Sequence, residues 1–517
     1  MRVSQIVSGV VGALLLVVSV LGLTTARSDG EMRSDTAGSI PVRLYSAGPE
    51  SPTVLVAHGF AGSAQLMEPL ALGLHEAGFT VVSFDFPGHG ANGEVLPFSG
   101  DVRSASWDTL TAPLAEVLDW AAQQPEVDRS RIALLGHSMG AGAAVSFAAE
   151  DASADGRVLA TAALSLPSAD DIPDGEPAVP RDLLLLYGAL EPSAFADAAL
   201  TGLRAAYPEG FPGVTYGDIG EGTARRAEAI PSVEHISILL SPATLDATVA
   251  WLSEALDVEP QPYGLPLLPL YAALALIGGA LLLVPVSTLA LGSREVRSWE
   301  PEPDPVRGGR VLAIVLVSSL LGVVAGWVAG PIADQVPVAV GGYLAVWFAV
   351  SGVVALLWWL LRIRAPRETP TITVRSTLGA VLVTALAALV VIVPGSMSWS
   401  AFSFTGARLW VAVLLLLVFG LWFAADELIL RRTSTGRRVT LMITSRVLAV
   451  AALLGAIPVL GAPTFLVIVA PVLLLLLVLL GVYAAIVARR QDPYLAAVLV
   501  QAVPAAALVA TTFPLVG

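Results

Sequence analysis

Between Leu134 and Gly142 the chain reads LLGHSMGAG, which sets one serine between glycines directly after an aliphatic run. A serine hydroxyl is a weak nucleophile by itself. It attacks an acyl carbonyl when a neighbouring base removes its proton. Gly136-His137-Ser138-Met139-Gly140 fits the spacing G-x-S-x-G, a sharp strand-to-helix turn that lifts the serine oxygen to the carboxyl edge of a sheet. Side chains at Gly136 and Gly140 would collide with neighbouring backbone in such a turn. The same turn sets the Met139 amide at the start of the following helix, where it is placed to stabilise a developing oxyanion.

The surroundings fit that turn. RIALL before it reads as a buried strand, and AGAAVSFAAE after it as a helix of small, closely packing residues. Upstream, TVLVAHGFAGS is a strand ending in His58-Gly59-Phe60, then a glycine and a helix. The Phe60 N–H is the candidate second oxyanion donor, and His58 reads as a structural turn histidine. Further short aliphatic runs (TVVSFDF, VLATAALSL, DLLLLYG) alternate with amphipathic stretches such as Ala64–Ala77 and Ala112–Gln124. That alternation predicts a mostly parallel sheet with helices on both faces. Thr244–Leu256 is the expected closing helix, and residues 258–264 a proline-containing linker.

Together, AHGFAGS, VVSFDFPGHGANG and LLGHSMGAG resemble the α/β-hydrolase superfamily, in the branch of serine esterases, lipases and S33-type aminopeptidases. The resemblance covers roughly residues 40–257 and leaves the substrate open. It implies a nucleophile elbow and the chain order nucleophile, acid, histidine. After Ser138, RDLLLLYGALEP is a strand and a turn that puts Glu191 where the family carries its acid, with Asp218 in TYGDIG as the alternative. Aspartate is commoner there, so glutamate is a departure. His235, in the loop of RAEAIPSVEHISIL, is the only histidine after Ser138. The resemblance thus implies a Ser138–Glu191–His235 triad, with Gly136 and Gly140 as structural elbow positions and no cofactor or metal. Eleven residues separate SLPSA from RDLLLLYG, too few for a large lid. An open entrance is expected unless the apolar half covers it.

Composition divides the chain. Hydrophobic residues make up 55% and charged residues 14% of 517, with a mean hydropathy of +0.76, values that point to a membrane protein. Cysteine is absent, which excludes disulfides and thiolate metal sites. Residues 1–263 carry 12 Arg against 33 acids, and residues 264–517 carry 16 Arg against 9 acids. The acidic first half argues against nucleic-acid binding, because phosphate contacts need a basic surface. All five histidines also lie there.

Residues 1–26 contain the apolar run Ile6–Leu23, read as an uncleaved transmembrane anchor, with signal-peptide cleavage after Ala26 as the competing reading. Residues 265–517 hold about eight further apolar spans, near 265–291, 311–333, 337–361, 376–396, 409–430, 439–460, 464–488 and 494–516. An all-α transmembrane bundle satisfies their backbone in lipid. Arginines 2, 294, 297, 307, 310, 362, 364, 367, 375, 431, 432, 437, 438, 489 and 490 fall on one side of this threading, and Arg408 on the other. The positive-inside rule makes the arginine-rich side cytoplasmic and the hydrolase-like segment extracytoplasmic. Asp426, Glu427 and Arg446 lie within spans at similar depth, which predicts a charge pair; the competing reading is a functional intramembrane site.

The sequence therefore predicts a multi-pass membrane protein whose serine hydrolase domain cleaves an acyl ester, or an amide, of a small-molecule or lipid substrate. The alternatives are a polytopic transporter or sensor with a non-catalytic hydrolase-like domain, and an acyltransferase using the same serine. The sequence names no protein partner.

Overall fold

The computed structural model describes residues 2–28, 32–96, 108–154, 156–292, 308–362, 373–404, 406–430, 435–460, 466–489 and 494–517. They divide into two compact units. One comprises Gly22–Pro269, Ser396–Ala401 and Pro514–Gly517; the other comprises Met1–Leu21, Leu270–Gly395 and Phe402–Phe513.

The first unit is built on a sheet whose described strands are β1 (Met32–Ala37), β2 (Ile40–Tyr45), β3 (Ser51–Ala57), β4 (Thr80–Phe84), β5 (Val127–His137), β6 (Val158–Leu164), β7 (Leu183–Gly188), β8 (Thr215–Tyr216) and β9 (Arg225–Ile230). Their spatial order is β1-β2-β4-β3-β5-β6-β7-β9-β8. Strands β4, β3, β5, β6, β7 and β9 pair in parallel, while β1, β2 and β8 are antiparallel additions at the edges. The aliphatic runs became the parallel strands because a strand covered on both faces has no polar side to present. All five residues of β4 are buried. The antiparallel start was not expected from the sequence: the burial of β1, eeeeeB, is that of an exposed edge with no hydrophobic alternation.

Helices α2 (Ala64–Glu76), α3 (Asp108–Ala121), α4 (Met139–Ala152), α5 (Ser193–Ala206) and α6 (Pro242–Ala255) belong to this unit, and α1 (Val3–Ser28), which precedes β1, contributes only its end from Gly22. Helix α4 buries Ala141 and Val145 in a cluster with Leu183 and Leu185 of β7 and Leu203 of α5. Small residues on α4 let that helix lie close to the sheet. Helix α2 approaches α6 so closely that a Cβ on Gly73 would come 2.6 Å from a Leu245 methyl. The mostly parallel, helix-covered sheet expected from the alternating runs is what the chain forms.

Two short segments remote in sequence complete this unit. Ser63 Oγ donates to the Trp399 carbonyl at 2.7 Å. Leu515 N donates to Gly88 O at 2.9 Å, and Leu96 N donates to Leu515 O at 2.9 Å. At the end of α1, Arg27 Nε donates to Glu68 Oε1 at 2.9 Å, and Arg43 lies 3.5 Å from the same fully buried carboxylate.

In the second unit, described by itself, the chain is helical. Among the described residues of the whole chain, nine helices are long and apolar enough to cross a membrane, from Val3–Arg27 to Tyr494–Thr512. Glycines allow backbones to meet: a Cβ on Gly12 would lie 2.7 Å from Gly278 O, and one on Gly278 would lie 2.9 Å from Gly12 O. Of the arginines counted for orientation, Arg294, Arg297, Arg307, Arg364, Arg367, Arg431, Arg432 and Arg490 lie outside the described residues.

The charges expected within these apolar helices do pair. Arg446 Nη2 donates to Asp426 Oδ2 at 2.7 Å and to Gln501 Oε1 at 3.2 Å, and its guanidinium lies 4.4 Å from the Trp422 ring centroid. Glu427 takes a different partner, Arg438 Nη2, at 2.6 Å. Removing one member of a buried pair leaves its partner uncompensated, at a cost of about 3–5 kcal/mol. Arg446→Leu is therefore expected to lower the thermal midpoint of the detergent-solubilised protein markedly, and adding Asp426→Leu to restore much of the loss. A single variant that melts like wild type would show that the pair does not hold these helices.

Candidate active site

The site starts at the end of β5, the strand between β3 and β6. Ser138 adopts φ 53°, ψ −117°, between β5 and α4. A non-glycine residue rarely enters positive φ, and such backbone persists only where its surroundings enforce it. Gly136 and Gly140 supply the clearance. A Cβ on Gly136 would lie 2.2 Å from Gly140 O, and one on Gly140 would lie 2.4 Å from Ala57 O and 2.5 Å from His58 O. Every one of these obstacles is backbone. Ser138 N in turn donates to Leu164 O at 2.8 Å, which ties the turn to the end of β6.

Three loops at the carboxyl ends of the strands then converge. Ser138 Oγ lies 3.0 Å from His235 Nε2. His235 Nδ1 lies 2.5 Å from Glu191 Oε1. The glutamate follows β7 and the histidine follows β9, strands that are neighbours in the sheet. Their loops are sewn together by Ala189 N to Ile230 O at 2.9 Å and Leu190 N to Val233 O at 3.0 Å. The second carboxylate oxygen accepts from Gly188 N at 2.6 Å and from Ser165 Oγ at 3.0 Å. Glu191 is thus held on both oxygens, its side chain only 1% exposed.

The alternative acid goes elsewhere. Asp218 lines a cavity of about 980 Å³ with Leu159, Arg181 and Asp182, residues at the amino ends of β6 and β7. That is the opposite end of the strands from Ser138.

On the other side of the serine, Gly59 approaches so closely that a Cβ there would be 3.1 Å from Ser138 Cβ. This brings the loop carrying Phe60 against the turn carrying Ser138. Met139 is the first residue of α4, so its N–H has no acceptor within the helix. His58 is fully buried; its Nε2 accepts from Phe86 N at 3.0 Å, and its Nδ1 lies 2.8 Å from Gly59 O. Those two contacts fix a neutral tautomer with the proton on Nδ1. Burial pushes its pKa below the usual histidine range, only partly offset by the Asp85 charge. Asp85 accepts from Ala64 N at 2.8 Å and Ala91 N at 2.9 Å, joining this loop to the start of α2. His58 is a structural histidine.

Ser138 is 9% exposed and His235 5%. No helix forms between β6 and β7, so that connection builds no helical lid. Helix α5, which follows Glu191, sets the Phe195 ring 4.6 Å from the His235 ring. Sequence reasoning missed four contributors: Phe195, Ser165, the Gly188 amide and the His137 side chain. Ser165 and Gly188 stand at or just after strand carboxyl ends, and His137 is inside the G-x-S-x-G pattern. Those positions were the available signals.

The family Serine aminopeptidase, S33, matches residues 48–192. The uncharacterized protein Rv2307c of Mycobacterium tuberculosis is 34% identical over 106 residues, covering 20% of this chain and 34% of that protein. An uncharacterized 31.7 kDa Escherichia coli protein from the traX-finO intergenic region is 30% identical over 138 residues, covering 24% and 45% respectively. The chain thus spans less than half the length of these relatives. A Pyrobaculum calidifontis esterase structure aligns at 15% identity over 48% of this chain and 94% of its own, with a TM-score of 0.34.

The elbow geometry predicts the effect of one methyl group. Gly140→Ala forces backbone apart at two carbonyls, so a destabilisation of about 4 kcal/mol or more is expected, read as loss of folded protein or a large fall in thermal midpoint. An unchanged midpoint would contradict the close approach of α4 to β3. The chain carries an α/β-hydrolase domain, matched by the S33 serine-aminopeptidase family over residues 48–192, together with a second region of long apolar helices.

Proposed function

We propose that the domain is a serine hydrolase in which Ser138 is the nucleophile, His235 the general base and Glu191 its orienting acid. The observation that carries this reading is the unbroken chain of contacts from Ser138 Oγ to His235 Nε2 at 3.0 Å and from His235 Nδ1 to Glu191 Oε1 at 2.5 Å. In the first half-reaction Ser138 Oγ attacks the acyl carbonyl while its proton passes to His235 Nε2. Glu191 holds the imidazole with Nε2 free to accept and stabilises the imidazolium that forms. The carbonyl electrons move onto oxygen, which the Phe60 and Met139 amides receive. Collapse expels the alcohol or amine, protonated by His235, and leaves an acyl-serine. Water, deprotonated by the same imidazole, then releases the acid and restores Ser138.

We read the substrate as an acyl ester of small-molecule or lipid type, by inference from a hydrolase domain joined to apolar helices. The arginine asymmetry of the connecting segments favours a hydrolase domain on the outer face of the membrane.

A membrane-impermeant fluorophosphonate applied to intact cells expressing the full-length protein tests the site and its sidedness together. Labelling is expected, and Ser138→Ala is expected to abolish it. Labelling that survives in Ser138→Ala, or no labelling of a folded wild-type protein even after detergent release, would overturn the reading. Labelling only after release would overturn the orientation alone. Glu191→Gln keeps the shape but reverses the tautomer preference, so kcat for a p-nitrophenyl ester should fall by about 10²–10⁴. A fall of less than threefold would remove Glu191 from the mechanism.

A further inference from the structure

We propose that His137, the residue before the nucleophile, is a positioning residue that fixes the backbone of His235. The inference rests on the assignment of His235 as general base.

His137 is the last residue of β5 and is almost completely buried. Its Nε2 lies 2.9 Å from the His235 carbonyl oxygen. A carbonyl only accepts, so Nε2 carries the proton and donates. The two imidazole rings pack with centroids 4.8 Å apart at 46°. On its other edge, Nδ1 is buried without a hydrogen-bond partner. It faces Gly59, where a Cβ would come within 2.9 Å of it. A single side chain therefore touches the turn that carries Phe60, continues the strand that carries Ser138, and holds the loop that carries His235.

The tautomer follows from these contacts. A second proton would have to sit on Nδ1, where nothing accepts it. Burial first, and then the neighbouring His235 and His58 rings, push the His137 pKa well below the ordinary value. The side chain stays a neutral donor while His235 gains and loses its proton during turnover.

This contact has a task that the others leave undone. Two bonds aim the His235 ring, one to Glu191 and one to Ser138, but both end on the ring. The loop after β9 is pinned at Ile230 and Val233 by backbone bonds, and Glu234 is tied to Ile236 and Ser237. The bond from His137 acts on the backbone of residue 235 itself. Without it, the ring retains its partners but has a less defined origin. Reacting groups misplaced by about 1 Å lose roughly 10² in rate.

The test uses the full-length protein in detergent, with p-nitrophenyl butyrate for turnover and a fluorophosphonate for the labelling rate at Ser138. His137→Phe keeps a ring and removes the donor; His137→Gln restores an N–H at a similar reach. For His137→Phe, kcat is expected to fall about 10–100-fold with KM within about threefold, and labelling of Ser138 to slow in parallel. His137→Gln should recover most of kcat. If the Phe variant does not fold, His137→Asn, whose amide is too short to reach, takes its place against Gln. A folded Phe or Asn variant with kcat within twofold of wild type would overturn the positioning role. So would equal impairment of the Gln variant. Absence of both turnover and labelling in the wild-type protein is a different result: it would overturn the serine hydrolase reading, and this assignment with it.

Discussion

A serine held at φ 53° and ψ −117° sits in backbone that L-residues avoid, at a cost of about 1–3 kcal/mol. The hydrolase unit is arranged so that no relaxed alternative is open to it. Gly136 and Gly140 let β5, α4 and β3 close to distances that any Cβ would violate, and the Ser138 amide is bonded to the end of β6. The hydroxyl is then exposed to whatever the neighbouring loops present, and its direction is set by main chain before any side chain contributes.

The parallel sheet decides which loops those are. Strands running the same way end at the same edge, so the turns after β5, β7 and β9 gather there although Ser138, Glu191 and His235 are far apart in sequence. The Glu191 carboxylate reaches His235 by folding back over its own turn. It accepts from Gly188 N and Ser165 Oγ on one oxygen and faces His235 on the other. The extra methylene is taken up locally, and the imidazole is met at 2.5 Å.

Much of this was legible in the residues. The strand runs, the glycine-flanked serine and the order serine, acid, histidine are patterns that local sterics and sheet topology impose, so they survive as spacing. The apolar spans were legible for a similar reason, since lipid permits little besides a helix, and Asp426 and Arg446 lie at depths that allow them to meet. What remained hidden depends on which loop packs against which. Strand β1 shows no hydrophobic alternation because it is an exposed edge, although its partner β2 alternates. Ser165 and His137 look like any serine at a strand end and any variable position of a motif until the loop after β7 or β9 is brought over them. Glu427 pairs with Arg438 instead of Arg446, a choice made by helix rotation that depth along the helix does not encode. Phe195 was missed likewise, because it comes from a helix whose docking sets its ring 4.6 Å from that of His235.

The claim on which the account turns is that a covalent acyl group passes through Ser138. Acid-quenching the full-length protein during hydrolysis of p-nitrophenyl acetate and mapping its peptides by mass spectrometry reads that claim directly. The account predicts an added acetyl group on the peptide containing Ser138, and none on the His235→Ala protein under the same conditions. Ester hydrolysis with the acetyl group carried on a different residue would contradict it.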